Sequence, residues 1–501
     1  MPHARVAIDP DFTIGPVPKR LFGSFVEHMG RCVYTGIYEP GHAAADADGL
    51  RKDVLDLVRE IGPTVVRYPG GNFVSGYRWE DGVGPRSQRP RRLDRAWRSI
   101  ETNGFGLAEF VGWARAAGVE PMMALNLGTR GVQEACDLLE YANHPGGTAY
   151  SDLRRSHGNT EPFDVRLWCL GNELDGPWQV GHKTAYEYGR LAAETARAMR
   201  LVDPDIELVA CGSSHSGMPT FGEWERVVLE EAYDQVDFIS AHAYYQEHDD
   251  PADFLACARD MDAFIESVVA TADAVRARGR HAKRIGISFD EWNVWYQSRY
   301  HADPPTEWRE APRLIEDEYS VTDAVVVGTL LNSLLRHGDR VTVACQAQLV
   351  NVIGLLRSEP GGPAWKQTIA HPFQAVRRCA TGEILAVRTR SDRHETPRFG
   401  DVDTVDAAGT WDAETNTVSL FLANRALTEP ATVEIGVRGF GDVGVRHAAV
   451  LSAPDRHTTN DEQHPDRVGL RPLEDVEVAD GTARLTLPPV SWGVLQLAPA
   501  R

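Results

Sequence analysis

The sequence predicts an α/β fold: a (β/α)8 TIM barrel followed by a C-terminal, jelly-roll-like β-sandwich. Three observations predict it. Eight short apolar runs alternate with segments whose apolar residues recur at helical spacing. No glycine-rich phosphate turn follows the first run, which reads Phe22-Gly-Ser-Phe25, so an open doubly wound sheet is disfavoured. Beyond about residue 380 the helical spacing vanishes and short alternating runs replace it.

The runs expected as strands are 21–26, 64–68, 120–126, 165–170, 207–211, 236–241, 284–289 and 341–347. They are continuously apolar, as strands covered on both faces should be. Helical spacing is clear in Leu50, Val54, Leu55, Leu57, Val58 and Ile61, and again across 184–201, 254–275 and 321–335. The later alternating runs are 417–424, 432–435, 483–487 and 491–497. Residues 1–18 form a short strand expected to pair into the sandwich, 19–380 the barrel and 381–501 the sandwich. The polar stretch Asp455–Arg467 reads as an exposed loop.

A chain of 501 residues exceeds one hydrophobic core, which agrees with two domains. Its formal charge of −20 repels nucleic acid and anionic membranes, so neither is an expected partner. No segment approaches the roughly 20 apolar residues that span a bilayer, and Met1-Pro-His-Ala-Arg-Val carries no signal-peptide core. The 7 cysteines are scattered without a CxxC pair, which predicts reduced, mostly buried thiols in a cytoplasmic protein.

In such a barrel, function collects at the C-terminal ends of the strands. Those ends carry Glu27 and His28; Arg67 and then Gly70-Gly71-Asn72; Asn126; Asn172 and Glu173; His242 and Tyr244; Glu291 with Trp292 and Trp295; and Gln348 with Asn351. Amides and carboxylates bond hydroxyls in either direction, and indole or phenol faces stack on sugar rings. The inventory therefore suits a carbohydrate, and two acids, Glu173 and Glu291, are what cleavage of a glycosidic bond needs. Each residue also has a plainer reading. The glutamates could cap following helices, Arg67 could be a structural ion-pair partner, His242 a satisfied core histidine, and Trp97 and Trp308 surface aromatics. No HExxH, GxSxG elbow or phosphate-binding partner accompanies the acids, so no metal or cofactor is expected.

Phe25-Val-Glu-His28, the stretch from Arg67 to Pro85, Trp168-Cys-Leu-Gly-Asn-Glu-Leu-Asp-Gly-Pro-Trp178, Ser288-Phe-Asp-Glu-Trp-Asn-Val-Trp-Tyr296 and Ala347-Gln-Leu-Val-Asn351 resemble the α-L-arabinofuranosidases of glycoside hydrolase family 51. The resemblance runs through Val490-Ser-Trp-Gly493 and departs most from the pattern at 297–313. It implies a retaining exo-glycosidase acting on arabinose-containing oligo- and polysaccharides, with Glu173 as acid/base and Glu291 as nucleophile. It implies that Glu27, Asn72, Asn172, Tyr244 and Gln348 hold the arabinofuranose and that Trp97 and Trp295 line the site. Arg67 and His242 are counted with the substrate-binding residues, and a homo-oligomer, a hexamer, is implied. The competing readings are a barrel glycosidase acting on β-xylosides or β-glucans with the same acids, and a non-catalytic sugar-binding protein.

Overall fold

The structure is a computed structural model that describes residues 2–500. Eight parallel strands close into a barrel: β1 (Arg20–Phe25), β2 (Val65–Tyr68), β3 (Glu120–Ala124), β4 (Leu167–Leu170), β5 (Glu207–Ala210), β6 (Phe238–Tyr245), β7 (Gly286–Val294) and β8 (Val341–Gln346). Each is followed by a helix on the outside. All eight expected strands are present. β6 and β7 run past their apolar stretches, because ladder pairing continues through Tyr244↔Asn293 after the inward side chains have turned polar. Apolar patterning reports burial, whereas strand length is set by hydrogen bonding.

The helices follow the predicted spacing. Lys52–Ile61 buries Val54, Leu55, Val58 and Ile61 and stops at Gly62, which is left-handed at φ +75°. Ala185–Val202 opens with a capping box, Glu187 N–H donating to Thr184 Oγ1 at 3.3 Å while Thr184 N–H donates to Glu187 Oε2 at 2.9 Å. At the closed end of the barrel Arg20 ties β1 to β3 and β5 through Glu120 and Glu207, both at 2.6 Å.

The C-terminal domain is a seven-stranded sheet facing a five-stranded one, with its own core around Leu420, Val433, Leu485 and Leu495. The N-terminal strand His3–Ala7 lies in the five-stranded sheet, parallel to Ala431–Gly436 and antiparallel to Arg388–Ser391. Thr13–Pro16 pairs with Glu383–Leu385 in the other sheet.

The helix Val321–Arg336 is shared by the two domains, and every residue from Val321 to Leu335 is buried. One side faces the barrel. The other meets Trp492, while Asn332 Nδ2 and Arg336 Nη1 donate to the two oxygens of Asp406 at 2.7 and 3.0 Å. Asp455–Arg467 is the expected loop, exposed at Asp455, His457 and 462–467, but part of it is put to use. The carbonyls of Arg456 and Thr458 accept the free N–H groups of Thr322 and Val321 at 3.1 Å, capping the shared helix, and Asn460 is buried. A polar composition suits a cap as well as it suits a solvated loop.

Gly328 sits where this helix touches Trp492; a Cβ there would lie 2.2 Å from the indole Cδ1. Gly328→Ala is expected to destabilise the protein by about 1–3 kcal/mol through overpacking. Differential scanning calorimetry should record a lower melting temperature than wild type, despite the gain in helix propensity.

Candidate active site

The site begins with two departures from regular backbone. β4 ends at Leu170, and three residues later Glu173 is left-handed at φ +43°. A non-glycine residue there costs on the order of 1–3 kcal/mol and persists only where its surroundings fix it. Glu173 is followed by a turn, its carbonyl accepting Gly176 N–H at 2.9 Å, and caps no helix. In β7 the ladder slips between Phe289 and Trp292, a bulge that re-aims the side chains of Asp290 and Glu291. The pairing of β7 with β6 shifts at the same bulge, the three steps from Ser288 to Glu291 standing against two from Ser240 to His242.

These irregularities bring Glu173 and Glu291 together, with one oxygen of each and a ring nitrogen of His242 all within 4.8 Å of one another. Glu291 accepts Arg67 Nη1 at 2.7 Å on Oε1 and the Tyr244 hydroxyl at 2.8 Å on Oε2. Glu173 accepts Trp178 Nε1 at 2.8 Å on Oε2, and its Oε1 lies 2.9 Å from His242 Nδ1. The other ring nitrogen of His242 bonds Asp290 Oδ1 at 2.8 Å.

Burial disfavours charge on His242, but the charge of Glu291 and the bonds to Asp290 and Glu173 outweigh it and raise the imidazole to about 10. Both ring nitrogens of His242 already lie at hydrogen-bond distance from a carboxylate, so the three groups fit a hydrogen-bonded cluster better than a metal site. Burial likewise raises Asp290, but Arg67 and His242 prevail and hold it low. Burial and the neighbouring Glu173 raise Glu291, opposed by His242, Arg67 and Tyr244.

Both glutamates open onto one cleft of about 770 Å³. Glu27, Asn72, Trp97, Tyr244, Trp295 and Gln348 lie on its wall. Glu27 accepts Phe73 N–H at 2.9 Å, Trp97 Nε1 at 2.8 Å and Gln348 Nε2 at 3.3 Å. Burial, followed by the charge of Glu291, nevertheless lifts it to about 8. Gly71 is needed here for room and not for a left-handed turn, since a Cβ would come within 2.6 Å of Glu27 Oε2.

Three of the residues expected to hold sugar are set back from the cleft wall. Arg67 and His242, 1% and 2% exposed, lie behind the glutamates and not on the cleft wall. Asn172 also sits behind, accepting Arg67 Nη2 at 2.8 Å and donating to Asn72 Oδ1 at 3.1 Å. Arg67 thus makes the ion pair of its plainer reading, though with an acid of the site. His28, Asn126 and Asn351 are off the wall too, bonded to Glu101, the Tyr77 carbonyl and the Arg31 carbonyl respectively. Trp97 is buried, while Trp308 lies under Arg98, away from the cleft.

The wall also holds residues that strand ends did not point to. Trp178 is 48% exposed and stacks with His215 at 6.2 Å. Tyr300 and His301 come from the short helix Gln297–Ala302, inside the region that departs from the family pattern. Arg398 comes from the sandwich. A tryptophan five residues past Glu173 was a usable signal; nothing near Arg398 was.

Two family models match the chain, one described as an α-L-arabinofuranosidase 1 domain over residues 57–263 and one as an α-L-arabinofuranosidase C-terminal domain over 290–491. A Streptomyces lividans protein named an intracellular exo-α-(1→5)-L-arabinofuranosidase is 57% identical over 99% of this chain and 76% of its own. The chain belongs to the α-L-arabinofuranosidases of glycoside hydrolase family 51. An exo-α-(1→6)-L-arabinofuranosidase from Bifidobacterium longum is 51% identical, covering 98% of this chain and 96% of its own. The solved structure of a family 51 α-L-arabinofuranosidase from Bifidobacterium longum superposes with a TM-score of 0.95 at 46% identity, covering 99% of both chains. The closed barrel with its sheet-rich C-terminal domain is therefore the family's architecture, and the chain is a glycoside hydrolase.

The raised His242 makes a stability prediction for this arabinofuranosidase. An unfolded imidazole titrates near 6.5, and the folded one near 10. The folded protein binds the extra proton between those values, so the contribution is full below pH 6.5 and is lost as pH rises through 10. The melting-temperature gap between wild type and His242→Asn should be wide at pH 6 and narrow by pH 10; a gap that widens with pH would contradict the assignment.

Proposed function

We propose that this enzyme releases terminal non-reducing α-L-arabinofuranosyl residues by double displacement, with Glu291 as nucleophile and Glu173 as general acid and then base. The observation that carries this reading is the separation of the two acids. Carboxyl groups about 5–5.5 Å apart suit a covalent intermediate, whereas about 6.5–9.5 Å leaves room for an inverting water. One oxygen of Glu173 within 4.8 Å of one of Glu291 supports the first.

Their surroundings support different roles. Arg67 and Tyr244 hold the Glu291 carboxylate with one oxygen bound to each. A nucleophile needs that charge and that orientation. Glu173 is bound by Trp178, which stands at the open side of the cleft where the leaving oxygen departs. In the first step Glu291 attacks the anomeric carbon while Glu173 gives a proton to that oxygen. In the second, water loses a proton to Glu173 and displaces Glu291, so the net configuration is retained. Once Glu291 is an ester, its charge no longer bears on the neighbouring acid.

The substrate class follows from what faces the cleft: carboxylates, amides and indoles, with Glu27, Asn72 and Gln348 placed to bond hydroxyls. A barrel glycosidase for β-xylosides or β-glucans would use the same acids, and the names of the similar enzymes favour arabinofuranosides. Relatives named for (1→5) and for (1→6) release are 57% and 51% identical, so a substrate panel must include both linkages. The relative named intracellular supports action in the cytoplasm on arabinose-containing oligosaccharides, and family membership supports a homo-oligomer.

Glu291→Ala should lose several orders of magnitude in kcat/KM on every substrate. Glu173→Ala should keep much of its kcat/KM on aryl arabinofuranosides with good leaving groups while kcat falls, accumulate the glycosyl-enzyme, and be rescued by azide as arabinosyl azide of retained configuration. Identical leaving-group dependence in the two variants would refute the assignment. Proton NMR of the first-formed sugar checks the stereochemistry, and an inverted anomer would exclude double displacement.

A further inference from the structure

Past the end of β7, Trp295 and Gln297 line the cleft, while Tyr296 between them turns away from it. Trp295 stands in a row of rings, 6.4 Å from Tyr300, which in turn lies 6.2 Å from Trp97. Among the described residues its buried Nε1 has no hydrogen-bond partner. The place of this indole in the wall is therefore set by packing and by the backbone that carries it.

That backbone is pinned on both sides of Trp295 by one segment, residues 317–323, which opens the helix shared by the two domains. Before Trp295, the carbonyl of Val294 accepts the Tyr319 hydroxyl at 2.7 Å. After it, Tyr296 N–H donates to Asp317 Oδ2 and Tyr296 OH to Asp323 Oδ1, both at 2.8 Å. Both aspartates are buried. Burial lifts Asp323 to about 6, against the bonds from Ser320 and Tyr296. Near neutral pH the phenol thus donates to a carboxylate, and the bond is charge-assisted. Arg299 closes the outer side, its guanidinium 4.1 Å over the Tyr296 ring and 3.7 Å from Asp317.

The sandwich grips this segment in turn. Besides the carbonyl of Arg456 that caps the helix, its guanidinium spans from Thr322 Oγ1, at 3.2 Å, to both oxygens of Glu247, at 2.9 Å. Glu247 lies two residues past Tyr245, whose carbonyl accepts Trp295 N–H at 2.8 Å. One arginine of the sandwich therefore ties together the two segments that carry the indole.

Resting on the arabinofuranosidase reading, we infer that Tyr296 is a positioning residue for sugar binding: it holds Trp295 in the cleft wall, and the sandwich sets it there through Arg456. Tyr296 touches no substrate itself. The indole it places faces the sugar in the ground state and the transition state alike. Tyr244, which Trp295 meets edge-on at 5.0 Å, keeps its own bond to Glu291, as Arg67 does. Loss of the Tyr296 hydroxyl should therefore weaken binding and spare the chemical step.

The test measures kcat and KM on 4-nitrophenyl α-L-arabinofuranoside for Tyr296→Phe, Arg456→Ala, Trp295→Ala and the double variant Tyr296→Phe with Trp295→Ala. Tyr296→Phe should raise KM about fivefold, on the scale of a single hydrogen bond, with kcat within about twofold of wild type. Arg456→Ala should move KM in the same sense. In the Trp295→Ala background the same loss of the hydroxyl should leave KM nearly unmoved, because the group it positions is gone. A lowered melting temperature with KM unchanged would overturn the inference and leave a purely structural bond. The full penalty persisting without Trp295 would overturn it too. Tyr296→Phe keeps the ring under Arg299, so the test stands even if Arg456→Ala fails to fold. A wild type inert towards the aryl arabinofuranoside would instead overturn the functional reading, whereas an active wild type with these KM values unmoved would refute the positioning alone.

Discussion

Two acids with one oxygen of each held within 4.8 Å in a buried pocket govern the architecture around them. Were both ionised, their repulsion at an effective dielectric of about 20 would be on the order of 3 kcal/mol, before the cost of removing each from water. Compensation has to come from fixed groups, and the barrel supplies it from several strands at once. Arg67 arrives from β2, His242 from β6 and Asp290 from β7, so that positive and negative groups alternate beneath the glutamates. A closed barrel brings residues distant in sequence within a few ångströms at one end. An open sheet could not surround the pair in this way.

That arrangement explains what was legible in the sequence and what was not. Glu173 and Glu291 stood out because each follows an apolar run with a polar break, and the barrel followed from eight such runs. The positions of Arg67 and His242 did not follow, because spacing tells which strand end a residue occupies and not how deep its side chain lies. Both are polar residues at strand ends, as Asn72 is, yet Asn72 reaches the cleft and they support it from behind. At Gly71 the constraint is the carboxylate of Glu27 pressed against its backbone, a contact between strand ends that no local pattern carries. The lengths of β6 and β7 were underestimated because their inward residues turn polar at the site while the ladder continues.

The second class of omission concerns parts contributed from far along the chain. Arg398 reaches the cleft from a hairpin with no apolar pattern of its own, and Asp455–Arg467 caps a helix more than a hundred residues earlier in sequence. Such contacts are decided by how the domains dock. Local propensity carries no trace of them, and the polar residues that make them resemble solvated loop. Tyr300 and His301 escaped for a related reason: they stand on a short helix after β7, past the strand end that drew attention to Glu291.

The helix Val321–Arg336 has a further consequence for how the molecule comes into being. Its outward side is covered by Trp492 and Asp406, and the sheet that holds His3–Ala7 cannot form until Ala431–Gly436 exists. During synthesis the barrel strands emerge first, with a largely apolar helix side still bare and the N-terminal strand still unpaired. Nascent chains at that stage present a sticky surface that the strands carrying Asp406 and Trp492 later hide, so chains truncated before those strands should be aggregation-prone and not working barrels.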